Sequence, residues 1–303
     1  MGDVDVTRAR IRSGLVAYAA GDAAGVPWEG CTADEIDYAG IDEVPRRGGW
    51  PRGATSDDTA LTLLVVDYLA DRGAVVDEHD FLSRLAAAVP GIRGVGPSTH
   101  AAVARFRDTG AVHAESGDTN GAAMRALPIG WAVADDDLRR TVTAGLSRTT
   151  HGAAPAIAAA CVAATMASAA VDGGSAAVLL DAAAVETGWA EAEFGAGAVG
   201  PARRALDGAW RPRRSGVQLD AAETLAGVIT VIRHAADSRA GVADALRYAV
   251  SLGGDTDTVA AIAGGILGGR ESRTPDIPWL ARVRMPDAAA LDAAADALAA
   301  LRG

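Results

Sequence analysis

The stretch Gly253-Gly254-Asp255-Thr256-Asp257-Thr258 places two carboxylates and two hydroxyls directly before an apolar run, Val259 to Leu267. Helical spacing in that run predicts an α-helix from Thr258 to Leu267. On its own, the acidic segment is explained as a helix cap. Asp and Thr side chains accept bonds from the free amides at a helix start, and acids suit the positive end of the helix dipole. The glycine pair before it permits a tight backbone approach.

A second cluster, Ser56-Asp57-Asp58-Thr59, precedes a second predicted helix, Asp58 to Leu69. Each cluster contains more oxygen ligands than capping requires. If the two helix starts face each other, four carboxylates meet, which raises their pKa values and destabilises the fold unless a cation compensates. Hard divalent cations such as Mg²⁺ and Mn²⁺ accept these oxygens. Zinc is disfavoured because neither cluster contains His or Cys. The sequence alone does not establish that the clusters meet.

The rest of the chain repeats the helical pattern, and alternating strand patterns are nearly absent. We therefore predict an all-α protein with one compact domain over residues 1–303. Glycine and proline mark short breaks, and none of these resembles a long flexible linker. Two of the predicted helices, Gly121–Ala132 and Glu191–Asp207, are each expected to be continuous.

Composition narrows the class of protein. The 303 residues are 50% hydrophobic, and the formal net charge is -11, which disfavours a nonspecific nucleic-acid binder. The two cysteines, Cys31 and Cys161, fit neither a disulfide framework nor a zinc site. The charged N-terminal segment has no apolar signal core. Apolar runs such as Ala153 to Ala170 indicate buried helices and no membrane span. We expect a cytoplasmic protein.

Five motifs occur in a recognisable order. They are Gly21-Asp22-Ala23-Ala24-Gly25 followed by Pro27 and Glu29, then Ser56-Asp57-Asp58-Thr59, Asn120-Gly121-Ala122-Ala123-Met124-Arg125, Thr150-His151, and Gly253-Gly254-Asp255-Thr256-Asp257-Thr258. In this order they resemble the ADP-ribosylglycohydrolase family, over roughly residues 10 to 270. The last motif is the most specific part of the resemblance.

The resemblance implies a single orthogonal multi-helix domain with a binuclear Mg²⁺ or Mn²⁺ site in a cleft. Six residues are the implied metal ligands: Ser56, Asp57, Asp58, Asp255, Asp257 and Thr258. Ser56 departs from the threonine usual at its position but keeps a hydroxyl oxygen. Glu29, Asp57 and Asp257 are the implied catalytic residues, with Glu29 handling the attacking water. Without the resemblance, Glu29 is an ordinary acid on a surface loop.

The implied substrate-binding residues are Gly117, Asp118, Thr119, Asn120, Gly121 and His151. Glycines let backbone amides approach a phosphate or a ribose closely. Alone, this segment is an ordinary turn and His151 is a cap or a buried, satisfied side chain. Asp118 departs from what a pyrophosphate needs, because a carboxylate repels it and suits ribose hydroxyls better.

The resulting hypothesis is a metal-dependent hydrolase that removes ADP-ribose from a protein side chain or a small molecule. Two alternatives stay open. The same dimetal site serves a simpler N-ribosyl compound, such as a nucleoside or ribosylated metabolite, or the protein is a non-catalytic ligand-binding or structural protein of the same fold. An ADP-ribosylated protein or ribosyl small molecule is the expected partner, with no nucleic acid and no membrane.

Overall fold

The computed structural model describes residues 3–303, and over this part of the chain the regular structure is helical. The α-helices are α1 (Asp3–Gly25), α2 (Asp57–Arg72), α3 (Glu78–Ala88), α4 (Pro97–Thr109), α5 (Gly121–Met124), α6 (Leu127–Ala132), α7 (Asp136–Arg148), α8 (Ala154–Val171), α9 (Ala176–Phe194), α10 (Gly200–Leu206), α11 (Ala221–Ser238), α12 (Val242–Ser251), α13 (Thr256–Gly268) and α14 (Ala288–Arg302). Short 3₁₀ helices span Val26–Trp28, Ala33–Glu35, Tyr38–Glu43, Val89–Gly91, Ala196–Ala198 and Leu280–Arg282. Extended backbone within these residues pairs only as isolated bridges, so the predicted all-α class is confirmed.

Helices α1 and α13 form the central pair of the fold and run antiparallel. Residues along α1 meet α13 in reverse order: Ala17 lies against Gly264, Gly21 against Ala260, and Gly25 against Asp257. A Cβ at Gly21 would lie 2.2 Å from the Ala260 carbonyl oxygen, so the two backbones touch where only glycine fits. This seam of small residues brings the C-terminal end of α1 beside the start of α13.

Two predicted helices are interrupted. The stretch predicted as Gly121–Ala132 is two helices, α5 and α6, because Pro128 in the first turn of α6 lacks the amide that a continuous helix needs. The stretch predicted as Glu191–Asp207 is also two helices. The first part belongs to α9, which ends at Phe194 and is followed by Gly195 with φ of +86°, and α10 begins at Gly200 with Pro201 in its first turn. In both places the local breakers override the apolar periodicity.

Helix α8 is the most apolar element of the core. Within the described residues it is the one helix long and apolar enough to cross a membrane, and 83% of it is buried inside the protein. Its alanines pack against α6, α7 and α9. This burial is what a core helix of a helical bundle requires, in agreement with the sequence interpretation of that segment.

Candidate metal centre and cleft

Three helix ends converge on one buried cluster of carboxylates. Asp22 lies near the C-terminal end of α1, Asp58 in the first turn of α2, and Asp257 in the first turn of α13. Their carboxylate oxygens lie within 4.8 Å of one another, and all three residues are buried. The two acidic motifs, about 200 residues apart in the chain, therefore do meet.

Neither Asp58 nor Asp255 caps its helix with its carboxylate, whereas Asp257 accepts the Thr258 amide at 3.0 Å. At α2 the hydroxyl of Ser56 is the cap, accepting the Asp58 amide at 3.2 Å. At α13 the N-cap residue Asp255 makes no capping bond with its side chain. Capping therefore explains Ser56 and leaves Asp58 and Asp255 available for another role.

Asp22 holds the start of α2 against α1. One of its carboxylate oxygens accepts the Ser56 amide at 2.9 Å, and the other accepts the Thr59 amide at 3.1 Å and the Thr59 hydroxyl at 2.5 Å. Sequence reasoning quoted Asp22 in a motif but assigned it no role. A signal was present: between Arg12 and Glu29, Asp22 is the only charged residue of an otherwise helical stretch.

Asn120 connects the second acidic cluster to the neighbouring loop. Its side-chain amide donates to the Asp255 carboxylate and, at 3.0 Å, to the hydroxyl of Thr224 on α11. The hydroxyl of Thr256 donates to the Gly25 carbonyl at 2.9 Å, which ties the start of α13 to the end of α1. The carboxylates are thus held by packed helix ends and not by mobile loops.

Burial raises the pKa of every aspartate in this cluster. Desolvation is the largest cause in each case, followed for Asp57 and Asp58 by repulsion from neighbouring carboxylates. The pKa rises to about 6 for Asp22 and Asp255 and to about 7 for Asp57. Asp58 and Asp257 are raised well above their ordinary value.

The described residues that line this centre include no arginine, and the chain contains no lysine. One oxygen of Asp58, Oδ2, is buried with no hydrogen-bond partner among the described residues. A buried carboxylate oxygen without a donor is unstable unless a cation faces it. The donor set, all carboxylate and hydroxyl oxygens, fits a hard divalent ion such as Mg²⁺ or Mn²⁺.

A cleft of about 120 Å³ opens onto this centre and collects most of the sequence-predicted site residues. Its wall includes Glu29, Asp57, Asp58, Thr119, Asn120, Gly121, His151, Asp255, Asp257 and Thr258. Glu29 is exposed at the mouth, while Asp257 lies 5% exposed at the base. Gly94, at φ of +98°, also lines the cleft, and a Cβ there would lie 2.9 Å from Asp57 Oδ1. Sequence reasoning gave no role to Gly94, because its importance arises from a contact distant in sequence.

Three of the predicted site residues lie elsewhere. Ser56 caps α2 and does not line the cleft, so its role as a metal ligand stays a prediction. Gly117 and Asp118 line an adjoining cavity of about 520 Å³ together with Glu115 and Arg105. The Asp118 side chain is exposed there.

The glycines of the Gly117–Gly121 turn make room for an imidazole. A Cβ at Gly121 would lie 2.6 Å from His151 Cε1, and one at Gly117 would lie 3.2 Å from the His151 Cα. The expectation from resemblance was that these glycines approach a substrate phosphate or ribose. In the structure, the Gly121 position is closest to the ring of His151, which is 1% exposed, and the Gly117 position is closest to the Thr150 carbonyl oxygen, at 3.0 Å. Burial, followed by the positive charge of Arg125, lowers the pKa of His151 to about 3.

Of the two tryptophans near the first motifs, one belongs to the core and one to the rim. Trp28 is buried, with Arg47 over its ring at 5.1 Å. Trp50 lines a separate cavity that shares Glu29, and the Arg93 guanidinium lies 4.1 Å above its ring. Arg93 also donates to the Gly49 carbonyl at 3.0 Å, so two loops beside the cleft mouth are held together.

Comparisons with known proteins agree with this architecture. The sequence model described as ADP-ribosylglycohydrolase matches residues 3–303. A solved structure described as an ADP-ribosylglycohydrolase-related protein complex superposes with a TM-score of 0.79 at 27% identity, covering 97% of this chain and 98% of that one. No curated protein sequence matches the chain. The match over nearly the whole length shows that this chain belongs to the ADP-ribosylglycohydrolase family and is a hydrolase of glycosidic bonds.

Proposed function

We propose that this protein is a metal-dependent hydrolase that cleaves a ribosyl glycosidic bond, removing ADP-ribose from a protein side chain or a small molecule. The observation that supports this most directly is the buried aspartate cluster, with raised pKa values and no arginine or lysine among the described residues of the cleft wall.

Asp57, Asp58, Asp255 and Asp257, with the hydroxyls of Ser56 and Thr258, are the groups proposed to hold a pair of Mg²⁺ or Mn²⁺ ions. Bound ions of this kind lower the pKa of an attacking water and offset the charge of the carboxylates. Asp58 and Asp257 accept fewer hydrogen bonds than Asp22, so these two acids of the buried cluster would be free to hold the ions. Asp22 keeps its two oxygens on α2 and acts as a positioning residue.

Glu29 is the residue proposed to take the proton of the attacking water. It is exposed at the mouth of the cleft, so its carboxylate keeps access to solvent and to an incoming substrate. The bond that breaks joins the anomeric carbon to the leaving group, and positive charge develops on the sugar in the transition state. A wall of carboxylates stabilises that charge electrostatically.

The surroundings of the centre support a ribosyl substrate. The Thr119, Asn120 and His151 side of the cleft would hold the ribose, and the adjoining cavity is large enough for the remainder of an ADP-ribosyl group. A second candidate substrate is a simpler N-ribosyl compound. It is favoured by the exposed carboxylates of Glu115 and Asp118 in that cavity, which outnumber its one arginine, Arg105, and repel a diphosphate.

The test uses proteins ADP-ribosylated on arginine or serine, and separately a panel of nucleosides. Each is incubated with the full chain in Mg²⁺, Mn²⁺ or EDTA, and the released ADP-ribose or ribose is quantified. We expect release that EDTA abolishes and that Asp257→Asn lowers at least about a hundredfold. The matched control is Asp181→Asn, which changes an exposed acid of α9 that does not line the cleft and should keep full activity.

Substrate identity is resolved by titrating ADP-ribose and ribose in Mg²⁺ against wild type and Asp118→Asn. If the diphosphate occupies the adjoining cavity, Asp118→Asn tightens ADP-ribose binding and leaves ribose binding unchanged. Tight ADP-ribose or ribose binding without any hydrolysis, under every metal tested, would instead indicate a non-catalytic binder and contradict the proposal.

A further inference from the structure

A chain of hydrogen bonds runs from a buried arginine to the wall of the cleft. Arg125 donates to the Thr150 hydroxyl at 2.5 Å, and that hydroxyl lies 2.8 Å from His151 Nδ1. On the other side of the imidazole, Nε2 lies 3.1 Å from the Thr119 hydroxyl, which in turn lies 3.3 Å from the Ser98 hydroxyl. We name these five residues the arginine–histidine chain.

Arg125 determines which atom donates and which accepts in each hydrogen bond of the arginine–histidine chain. Arg125 has no acceptor capacity, so Thr150 accepts from it and must give its own hydrogen elsewhere. Thr150 is 1% exposed, and the one other polar atom recorded beside its hydroxyl is His151 Nδ1. A buried hydroxyl hydrogen without an acceptor is unfavourable, so Nδ1 accepts it. The neutral imidazole then carries its hydrogen on Nε2.

The direction continues to the cleft surface. Nε2–H donates to the Thr119 oxygen, so the Thr119 hydroxyl hydrogen points onward, to Ser98 or into the cleft. Both Thr119 and Ser98 line the cleft that holds the carboxylates. The ring lies so close to Gly121 that a Cβ there would be 2.6 Å from Cε1 and 2.9 Å from Nε2, and it is buried together with Thr150.

No carboxylate pairs with Arg125 in the part of the chain that the structure describes. Its recorded partners are the carbonyls of Gly121 and Leu146, the Thr150 hydroxyl, and the ring of Phe81 at 5.5 Å. A buried guanidinium without a counter-ion is unfavourable, and burial lowers its pKa to about 10. The unfavourable burial of Arg125 must therefore be offset by a contribution that this guanidinium makes to the fold or to the site.

We propose that Arg125, acting through Thr150, holds His151 as the Nε2–H tautomer, and thereby makes the Thr119–Ser98 wall a hydrogen-bond donor to an oxygen of the substrate. The charged residues that line the cleft are all carboxylates, so this wall offers hydrogen-bond donors to an acceptor atom of the substrate. A ribose oxygen and a phosphate oxygen share that chemistry. The donor role of the Thr119–Ser98 wall rests on the proposed function, whereas the His151 tautomer does not.

The tautomer is measured directly by NMR on the full chain labelled with ¹⁵N-histidine, using two-bond nitrogen–proton correlations. Comparison with His151→Gln assigns the signals of His151 among the five histidines. The expected result is a neutral ring with protonated Nε2 and accepting Nδ1, unchanged between pH 5 and pH 8. A protonated Nδ1, a mixture of tautomers or an imidazolium in this range overturns the inference.

Ligand affinities of variants test whether the arginine–histidine chain acts through Thr119. With ADP-ribose and ribose as probes in Mg²⁺, Thr150→Val should weaken binding by roughly fivefold to tenfold, the size of one hydrogen bond. Thr150→Ser should stay within about twofold of wild type. In a Thr119→Val background, the further effect of Thr150→Val should fall below about twofold, because the donor it orients is absent.

Thr143→Val is the matched control, since Thr143 is a fully buried threonine on α7 whose hydroxyl has no recorded partner. It should leave probe binding unchanged. Additive losses from Thr150→Val and Thr119→Val indicate mere structural damage and overturn the positioning role. Weaker ribose binding places the acceptor on the sugar, and an effect confined to ADP-ribose places it on phosphate.

The two levels of the proposal fail separately. If the enzyme hydrolyses no ribosyl compound but His151 shows the expected tautomer and the binding cycle is non-additive, the proposed function is wrong and the inference stands. If hydrolysis occurs while His151 carries its proton on Nδ1, the inference is wrong and the proposed function stands.

Discussion

Replacing Asp57 by asparagine should stabilise the metal-free protein, although it removes a residue proposed to be essential. Asp57 lies in the first turn of α2, partly buried, and faces the carboxylates of Asp22, Glu29 and Asp255. Burial and this repulsion raise its pKa from the ordinary value of 3.8 to about 7. Asparagine keeps the shape of the side chain and removes the charge.

The sign and size follow from linkage. The folded state holds the Asp57 proton more tightly than the unfolded chain does, so the contribution of Asp57 to stability is largest below about pH 4 and is lost as pH rises from about 4 through about 7. At pH 8 the loss amounts to about 4 kcal/mol. Asp57→Asn should recover up to that amount at pH 8 in EDTA and almost none of it at pH 3.5. The free energy of unfolding is measured by urea denaturation at both pH values.

Magnesium should reverse the ranking. At a concentration of 100 times its dissociation constant, a bound ion stabilises the wild type by about 2.7 kcal/mol, and Asp57→Asn should lose most of this gain. Asp181→Asn, the exposed control, should behave as wild type in every condition. If Asp57→Asn is no more stable than wild type at pH 8 in EDTA, the reasoning from charge repulsion is refuted. A magnesium effect equal to that of wild type refutes the assignment of Asp57 as a ligand.

Two further predictions concern packing and chemistry. Gly25→Ala should lower the free energy of unfolding by at least about 3 kcal/mol, because the added Cβ lies 2.3 Å from the Asp257 backbone and the helices α1 and α13 must separate. Its control, Gly188→Ala within α9, meets nothing within 4 Å and should raise stability by up to about 1 kcal/mol in the same urea experiment. Glu29→Gln should lower kcat by roughly a hundredfold or more with little change in magnesium-dependent stabilisation, because Glu29 is proposed to take a proton and not to hold the ion. Equal losses of kcat and of magnesium stabilisation would show that Glu29 is a ligand.

The centre illustrates why helix starts suit this chemistry. The first-turn amides and the helix dipole favour negative charge at the start of α2 and α13, which partly offsets the repulsion between the acids. Capping of α2 is delegated to Ser56, and Asp22 on a third helix accepts the amides of Ser56 and Thr59. Asp58 and Asp255 therefore do not cap their helices, whereas Asp257 accepts the Thr258 amide at 3.0 Å. The family resemblance alone does not predict which of these residues accept helix amides and which are available for a metal ion.

The amino-acid sequence alone predicts much of the fold. Apolar periodicity of 3.6 residues predicts the helical class, because a helix that buries one face needs apolar residues at that spacing along the chain. The two acidic motifs were recognised as oversupplied with oxygen, and the ordered motifs indicated the family that the comparisons then showed. Helix ends were less accessible. The break before α6 depends on a single proline within an apolar run.

Tertiary structure decided which of those residues share a site. The approach of Asp57 and Asp58 to Asp257 depends on the glycine seam between α1 and α13, a contact between residues more than 200 positions apart. In the same packed structure, Asp22 lies in the carboxylate cluster and Asp118 lines an adjoining cavity. Gly117 and Gly121 lie beside His151. Residue types and spacing determine which helices form and which oxygens they offer. Only close packing of distant helices, governed by steric fit, determines which of those oxygens meet.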